Sequence, residues 1–228
     1  MLNDITNTFL FTNQSTQMKN IGLLTLFLLC SILTFSQTYE GMCESRFKFG
    51  FNLGANYSDL KSIELLPTDA SISNGGGFNF GVLMDYSISP DFIFSPKLEL
   101  AFYNSSVDFI NLDNSIYSYE IFPISLNIMT HFDYKIGSGN IEPYVFAGPN
   151  IKLPLSKSPP ISTQYGNNSD IAIDFGIGFQ NKTKHFILSP ELKYSYGLTN
   201  INRNPELQTL KFNTITFSLA FSGVTFSK

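Results

Sequence analysis

Residues 46–60 read RFKFGFNLGANYSDL. Phe47, Phe49, Phe51, Leu53, Ala55 and Tyr57 fall on one phase of a two-residue repeat, and Lys48, Gly50, Asn52, Gly54, Asn56 and Ser58 on the other. Successive side chains of an extended strand point to opposite faces, so this segment is a strand with one bulky apolar face and one small polar face. Which of the two points inward decides the fold.

The pattern recurs along the chain. GFNFGVLMDYSIS (77–89) sets Phe78, Phe80, Val82, Met84, Tyr86 and Ile88 against Asn79, Gly81, Leu83, Asp85 and Ser87. A third strand covers Phe92 to Asn104. A fourth runs from about Tyr117 to Tyr134, with a phase shift near Phe122 and Pro123 where a bulge is expected. IEPYVFAGPNIKL (141–153) is apolar on both phases, whereas IAIDFGIGFQ (171–180) alternates well. The last two strands are Phe186–Leu198 and FNTITFSLAFS (212–222). Connections alternate in length: 60–77, 106–115, 154–170 and 199–210 are long, while 89–91, 137–140 and 181–185 are short. Long loops at one end and tight turns at the other mark an outer-membrane meander.

Volume settles the facing. Eight strands with about five bulky apolar residues each supply roughly forty large side chains, more than an eight-stranded barrel can hold inside. The apolar face therefore points outward. The other face carries Gly50, Gly54, Gly81, Gly176 and Gly178 among Asn, Ser and a few charges, which suits a crowded interior. An apolar exterior around a polar interior is stable only in lipid, where a closed barrel satisfies its backbone internally. The expected fold is all-β, an eight-stranded antiparallel up-and-down transmembrane β-barrel. A soluble ligand-binding barrel is the structural competitor.

Two segments echo each other, FIFSPKLELAFY from Phe92 and FILSPELKYSYG from Phe186. Their charges are exchanged: Lys97 and Glu99 in the first, Glu191 and Lys193 in the second. All four fall on the lumenal phase. A buried charge is costly without a partner, so a lumenal network is expected from Lys97, Glu99, Glu191, Lys193, Asp85 and Asp174, with Glu142 and Lys152 available nearby.

The N-terminal part reads as an export signal. From Met18, Lys19 precedes an apolar run from Ile21 to Phe35, then Ser36. Met18 is expected to be the start, which makes 1–17 a non-native extension. Residues 18–36 form the signal peptide, cleaved between Ser36 and Gln37, 37–46 a short periplasmic lead and 47–228 the barrel domain. An uncleaved anchor is the alternative. After cleavage only Cys43 remains, so no intramolecular disulfide is expected.

A net charge of −4 argues against nucleic acid. No cofactor or metal is expected: His131 and His185 lack ligand spacing, and Gly-Ile-Gly at 176–178 lies in a strand without the helix that dinucleotide binding needs. His131 beside an inward serine is the one arrangement that would suit an enzyme, and no spacing supports it.

Taken in order, FGFNLGANYSDL, GFNFGVLMDYSI, FSPKLEL, EPYVFAGPNIKL, DFGIGFQ and SPELKYSYGLTNI cover most of Phe47 to Phe221. The set resembles the PorT-like outer-membrane β-barrel family of Bacteroidetes-type bacteria. The chain departs from that family at Pro96-Lys97-Leu98-Glu99, where the pattern is Pro-Glu-Leu, and in ending FSGVTFSK rather than on an aromatic residue. The resemblance implies the outer membrane of a Gram-negative bacterium and a non-enzymatic structural or interaction role, as an accessory to protein secretion of the type IX kind. Expected partners are outer-membrane lipid, and proteins met through the long extracellular loops or the periplasmic rim, with the barrel itself monomeric. A small-solute or ion pore is the alternative, and a lipid-modifying enzyme a more distant one.

Overall fold

The computed structural model describes residues 46–63, 66, 70–110, 115–137, 139, 141–155, 169–183, 186–202 and 209–223. The expected extension, signal peptide and all of the lead except Arg46 lie outside the described residues, as does His185. Eleven strands are present: β1 (Phe47–Ser62), β2 (Ala70–Ser73), β3 (Gly76–Ser87), β4 (Phe92–Phe102), β5 (Ser106–Ile110), β6 (Ile116–Glu120), β7 (Ile124–Lys135), β8 (Ile141–Pro154), β9 (Asp170–Lys182), β10 (Ile187–Gly197) and β11 (Leu210–Ser222).

Eight of these close into a barrel in the order β1-β11-β10-β9-β8-β7-β4-β3, with every neighbouring pair antiparallel. Each strand lies beside the next barrel strand in the chain, and β11 closes on β1. This is the expected up-and-down meander. Closure leaves no free edge, which lets the wall satisfy its backbone without water.

The facing is as the volume argument requires. Phe51, Phe80, Ile177 and Phe217 are about half exposed (46–53 %), whereas Asn52, on the opposite phase, is 3 % exposed. Outward aromatics stack across the strands: Phe51 faces Phe221 with ring centroids 5.0 Å apart, and Phe78 faces Phe102 at 4.5 Å. Such cross-strand pairs fix register on a face that lipid alone would leave slippery.

The ambiguous β8 is resolved by its neighbour. Ile141, Val145, Ala147 and Ile151 face outward, while Tyr144 and Phe146 face inward. Tyr144 lies opposite Gly178 and Phe146 opposite Gly176 in the β8–β9 register. A Cβ added to Gly178 would meet the Tyr144 ring, and one added to Gly176 would meet the Phe146 ring. The glycines make room for two aromatic side chains laid flat on the lumenal wall.

The fourth expected strand is corrected. Its two halves are separate strands in separate sheets: β7 joins the barrel, but β6 joins a three-stranded sheet in the order β2-β5-β6. The chain changes sheets at Ile121–Pro123, where Phe122 has φ 51°, a left-handed conformation that a non-glycine residue adopts only when its surroundings hold it. Pro123 has no N–H to give to a ladder. Its carbonyl accepts from Tyr103 N (3.1 Å), and Ile121 N donates to Ser105 O (2.7 Å), so the break is tied down on both sides. The phase shift read from the sequence is therefore a change of sheet rather than a bulge. By the same token, the segments 60–77 and 106–115, expected as plain loops, contain β2 and β5.

The small sheet belongs to the long-loop end, where the connections β1–β3, β4–β7, β8–β9 and β10–β11 all emerge. There an apolar core forms from Leu60, Ala101, Tyr103, Val107, Ile121, Phe122, Ile201, Leu210 and Phe212. Leu60 and Phe212 are lumenal-phase residues at the outer ends of β1 and β11, and Phe122 stacks on Phe212 at 5.2 Å. The barrel mouth is thus filled with hydrocarbon supplied partly by its wall and partly by the β5–β6 arm.

Candidate functional site

The lumen below that core is lined by the polar phases of all eight strands. In the ring of eight, β4 and β10 stand four places apart, so they face each other across the lumen. Lys97 of β4 reaches both Glu191 carboxylate oxygens of β10 at 2.7 Å. One position along each strand face, the sense is inverted: Lys193 of β10 lies 3.8 Å from Glu99 of β4 and 3.7 Å from Asp174 of β9. The exchanged order of charges in the two echoing segments is the order that lets opposed strands pair twice.

Neutral donors complete each carboxylate. The Tyr144 hydroxyl donates to Glu191 at 2.8 Å, and the Asn52 amide donates to Glu99 at 2.7 Å. Asp174 accepts from the Asn150 amide at 3.0 and 3.1 Å and lies 3.1 Å from His131 Nε2. Lys193 also donates to the Met129 sulfur at 3.0 Å. Lys97 sits 5.5 Å from the centre of the Phe146 ring, which in turn stacks on His131 at 5.0 Å. Lys97, Glu99, Asp174, Glu191 and Lys193 are each 5 % exposed or less. Charges this deep are tolerable only when the remaining donors and acceptors are met.

Asp85 is held differently from the other five expected residues. Its carboxylate accepts from the Ser95 hydroxyl at 2.7 Å rather than from a lysine. Glu142 lies nearer the turn end, where it pairs with Lys135 at 3.0 Å and Lys182 at 2.7 Å. Lys152 lies nearer the mouth, 3.6 Å from Asp170, with its ammonium 5.0 Å from the centre of the Phe212 ring. Thr199 donates to Asp170 at 2.7 Å. Lys152 therefore joins the polar lattice to the apolar core above it.

Several members escaped the sequence reading. Asn52 and Met129 carry the right phase, but phase does not rank one lumenal residue above another. Tyr144 and Asn150 lie on β8, whose phase the sequence left open, and Asp170 fell in an expected connection. His131 is fully buried. Ser95 is opposite His131 in the β4–β7 register, yet its hydroxyl goes to Asp85, so no serine–histidine pair is assembled there. Among the described residues no group of three or more His, Cys, Asp or Glu side chains could hold a metal.

The wall of glycines opposite Tyr144 gives a direct test of this arrangement. Gly178→Val is expected to push the Tyr144 ring off β9 and cost Glu191 its phenol donor, destabilising the barrel by about 1–3 kcal/mol through overpacking. Urea unfolding in detergent micelles measures it, and Gly178→Val combined with Tyr144→Ala is expected to recover part of the loss.

A closed eight-stranded barrel, apolar outside and charge-paired inside, defines an outer-membrane β-barrel protein. The chain belongs to the family described as "Outer membrane protein beta-barrel domain", whose model matches residues 35–203. Its fold is similar to that of the Neisserial surface protein A, with a TM-score of 0.50 at 14 % identity over 78 % of this chain and 97 % of that one. OprG from Pseudomonas aeruginosa (TM-score 0.45, 14 % identity, 78 % and 95 % covered) and Ail from Yersinia pestis (0.42, 12 %, 77 % and 97 %) are also similar. No curated protein matches the chain significantly.

Proposed function

We propose that this barrel is a closed, non-enzymatic scaffold, and that it works by holding its loop-end sheet at the cell surface as an accessory to protein secretion of the PorT-like kind. The observation that carries the closed-scaffold reading is the burial of the lumenal charges. A residue lining an open aqueous channel stays wet, whereas Lys97, Glu99, Glu191 and Lys193 are 2–5 % exposed and bonded across the lumen. The apolar core at the mouth adds a second barrier. Against an enzyme stands the commitment of Ser95, the serine opposite His131 in the β4–β7 register, to Asp85.

The secretion role rests on the ordered resemblance of six segments and on the β2-β5-β6 sheet, which gives the long-loop end a structured surface. Its Ile110 and Ile116 are exposed apolar residues of the kind that partner contacts cover. Purified protein in planar bilayers is expected to give no single-channel steps, and reproducible conductance would overturn the closed-scaffold reading. Deletion of the gene is expected to reduce the proteins recovered in the culture medium, and an unaltered set of exported proteins would remove the secretion role.

A further inference from the structure

The barrel exterior is almost free of charge. Among the described residues, the outward phases of the eight barrel strands carry Asp, Glu, Lys, Arg or His side chains at Asp59, Lys61 and Lys211 alone, and these three share one corner. Lys61 and Lys211 are directly opposite in the β1–β11 register. Like charges placed opposite on neighbouring strands repel. Asp59 lies 2.9 Å from the Lys61 ammonium and offsets one of the two, which leaves these three described residues with one net positive charge. Lys61 is largely exposed, with 61 % of its side-chain surface open. The Lys211 ammonium donates to the Leu198 carbonyl, and an ammonium has three protons to place.

The height of this corner says what it meets. Phe47 of β1 lies beside Tyr86 at the turn end, with ring centroids 4.6 Å apart. From Phe47 to Tyr57 the chain advances ten residues, covering roughly 25 Å at about 3.3 Å per residue and a tilt of about 40°, which is the height of the apolar band of such barrels. Tyr57, on the rung shared with Ile215 and Tyr194, thus marks the outer edge of that band. Lys61 and Lys211 come four residues later, roughly 10 Å higher by the same geometry, at the level of the outer-leaflet headgroups. An aromatic rung with two lysines above it offers a ring face for an acyl chain and cations for an anionic headgroup.

We propose that the β1–β11 corner formed by Lys61, Lys211 and the Tyr57–Tyr194 rung binds a phosphate-bearing glycolipid of the outer leaflet, with the two ammoniums on its phosphate. The site lies on the outer wall and does not depend on whether the lumen is closed. It is tested with the full barrel in phosphatidylcholine nanodiscs containing bisphosphorylated lipid A, by counting retained lipid with native mass spectrometry. The wild type is expected to retain lipid A, and K61Q/K211Q to retain it about 10–30-fold less well. K61R/K211R, which keeps both charges, is expected to behave as the wild type, and dephosphorylated lipid A is expected to be lost from all three. The heat-dependent gel shift verifies that each variant is a closed barrel. Equal retention by the glutamine pair, equal retention of dephosphorylated lipid, or displacement of lipid A by millimolar inorganic phosphate alone would each overturn the proposal.

Discussion

Glu191→Gln is expected to destabilise the barrel by about 3–5 kcal/mol, the cost typical of removing one partner of a buried ion pair. The substitution keeps the shape of the side chain and its contact with Tyr144, but takes from the Lys97 ammonium the carboxylate it is bonded to, leaving only the more distant Asp85 and Asp133. Lys97 is 5 % exposed and cannot reach water to recover its hydration. Replacing both partners, as K97M/E191M, removes charge and counter-charge together and is expected to recover most of the loss, since an apolar pair of similar volume is often neutral or better. The midpoint of urea unfolding in micelles reports both. If the single and double variants unfold alike, the pair does not brace the two walls.

Phe122→Ala is expected to cost about 3–5 kcal/mol, the range for truncating a buried phenylalanine, because its ring is fully buried against Phe212 and the rest of the mouth core. The loss is expected to be local. The barrel wall keeps its ladders, while the β5–β6 arm that Phe122 anchors opens as a unit. Protease added from the loop side is expected to cut between 103 and 123 several-fold faster in the variant than in the wild type, while both keep the heat-dependent gel shift of a closed barrel. The backbone supplies a control. Phe122 sits at φ 51°, which costs an L-residue roughly 1–2 kcal/mol and glycine little. Phe122→Gly is therefore expected to be no less stable than Phe122→Ala, the reverse of the usual order in a strand. Protection of the alanine variant equal to that of the wild type would show that the arm is not held by this packing.

The barrel itself was legible because its pattern is local and redundant. Eight segments each declare the same period, and one volume argument orients them all. The lumenal charges were legible by phase, since Lys97, Glu99, Glu191, Lys193, Asp85 and Asp174 all fall on the face opposite the aromatic stripe. The mouth was not legible, for a physical reason. Leu60, Phe122, Ile201 and Phe212 are scattered over the chain and break the alternation of their neighbours or sit in connections. Apolar residues in such places carry no period to read. β2 and β5 were also missed, because strands of four and five residues inside long connections leave too few repeats to distinguish from a loop.

By itself the sequence determined that the apolar stripes face lipid, that the strands run as a meander with long loops at one end, and that the Ser-Pro segments aim four charges inward. Each follows from alternation and volume, which are properties of neighbouring residues. The tertiary structure alone decided that Lys97 meets Glu191 and Lys193 meets Glu99, because that depends on β4 and β10 lying four strands apart at matched height in a closed ring. It alone decided that Asp85 is held by a serine, that Tyr144 and Phe146 lie over glycines, and that Phe122 turns the chain out of one sheet into another. These are contacts between residues distant in sequence, set by closure and register, and no local pattern encodes them.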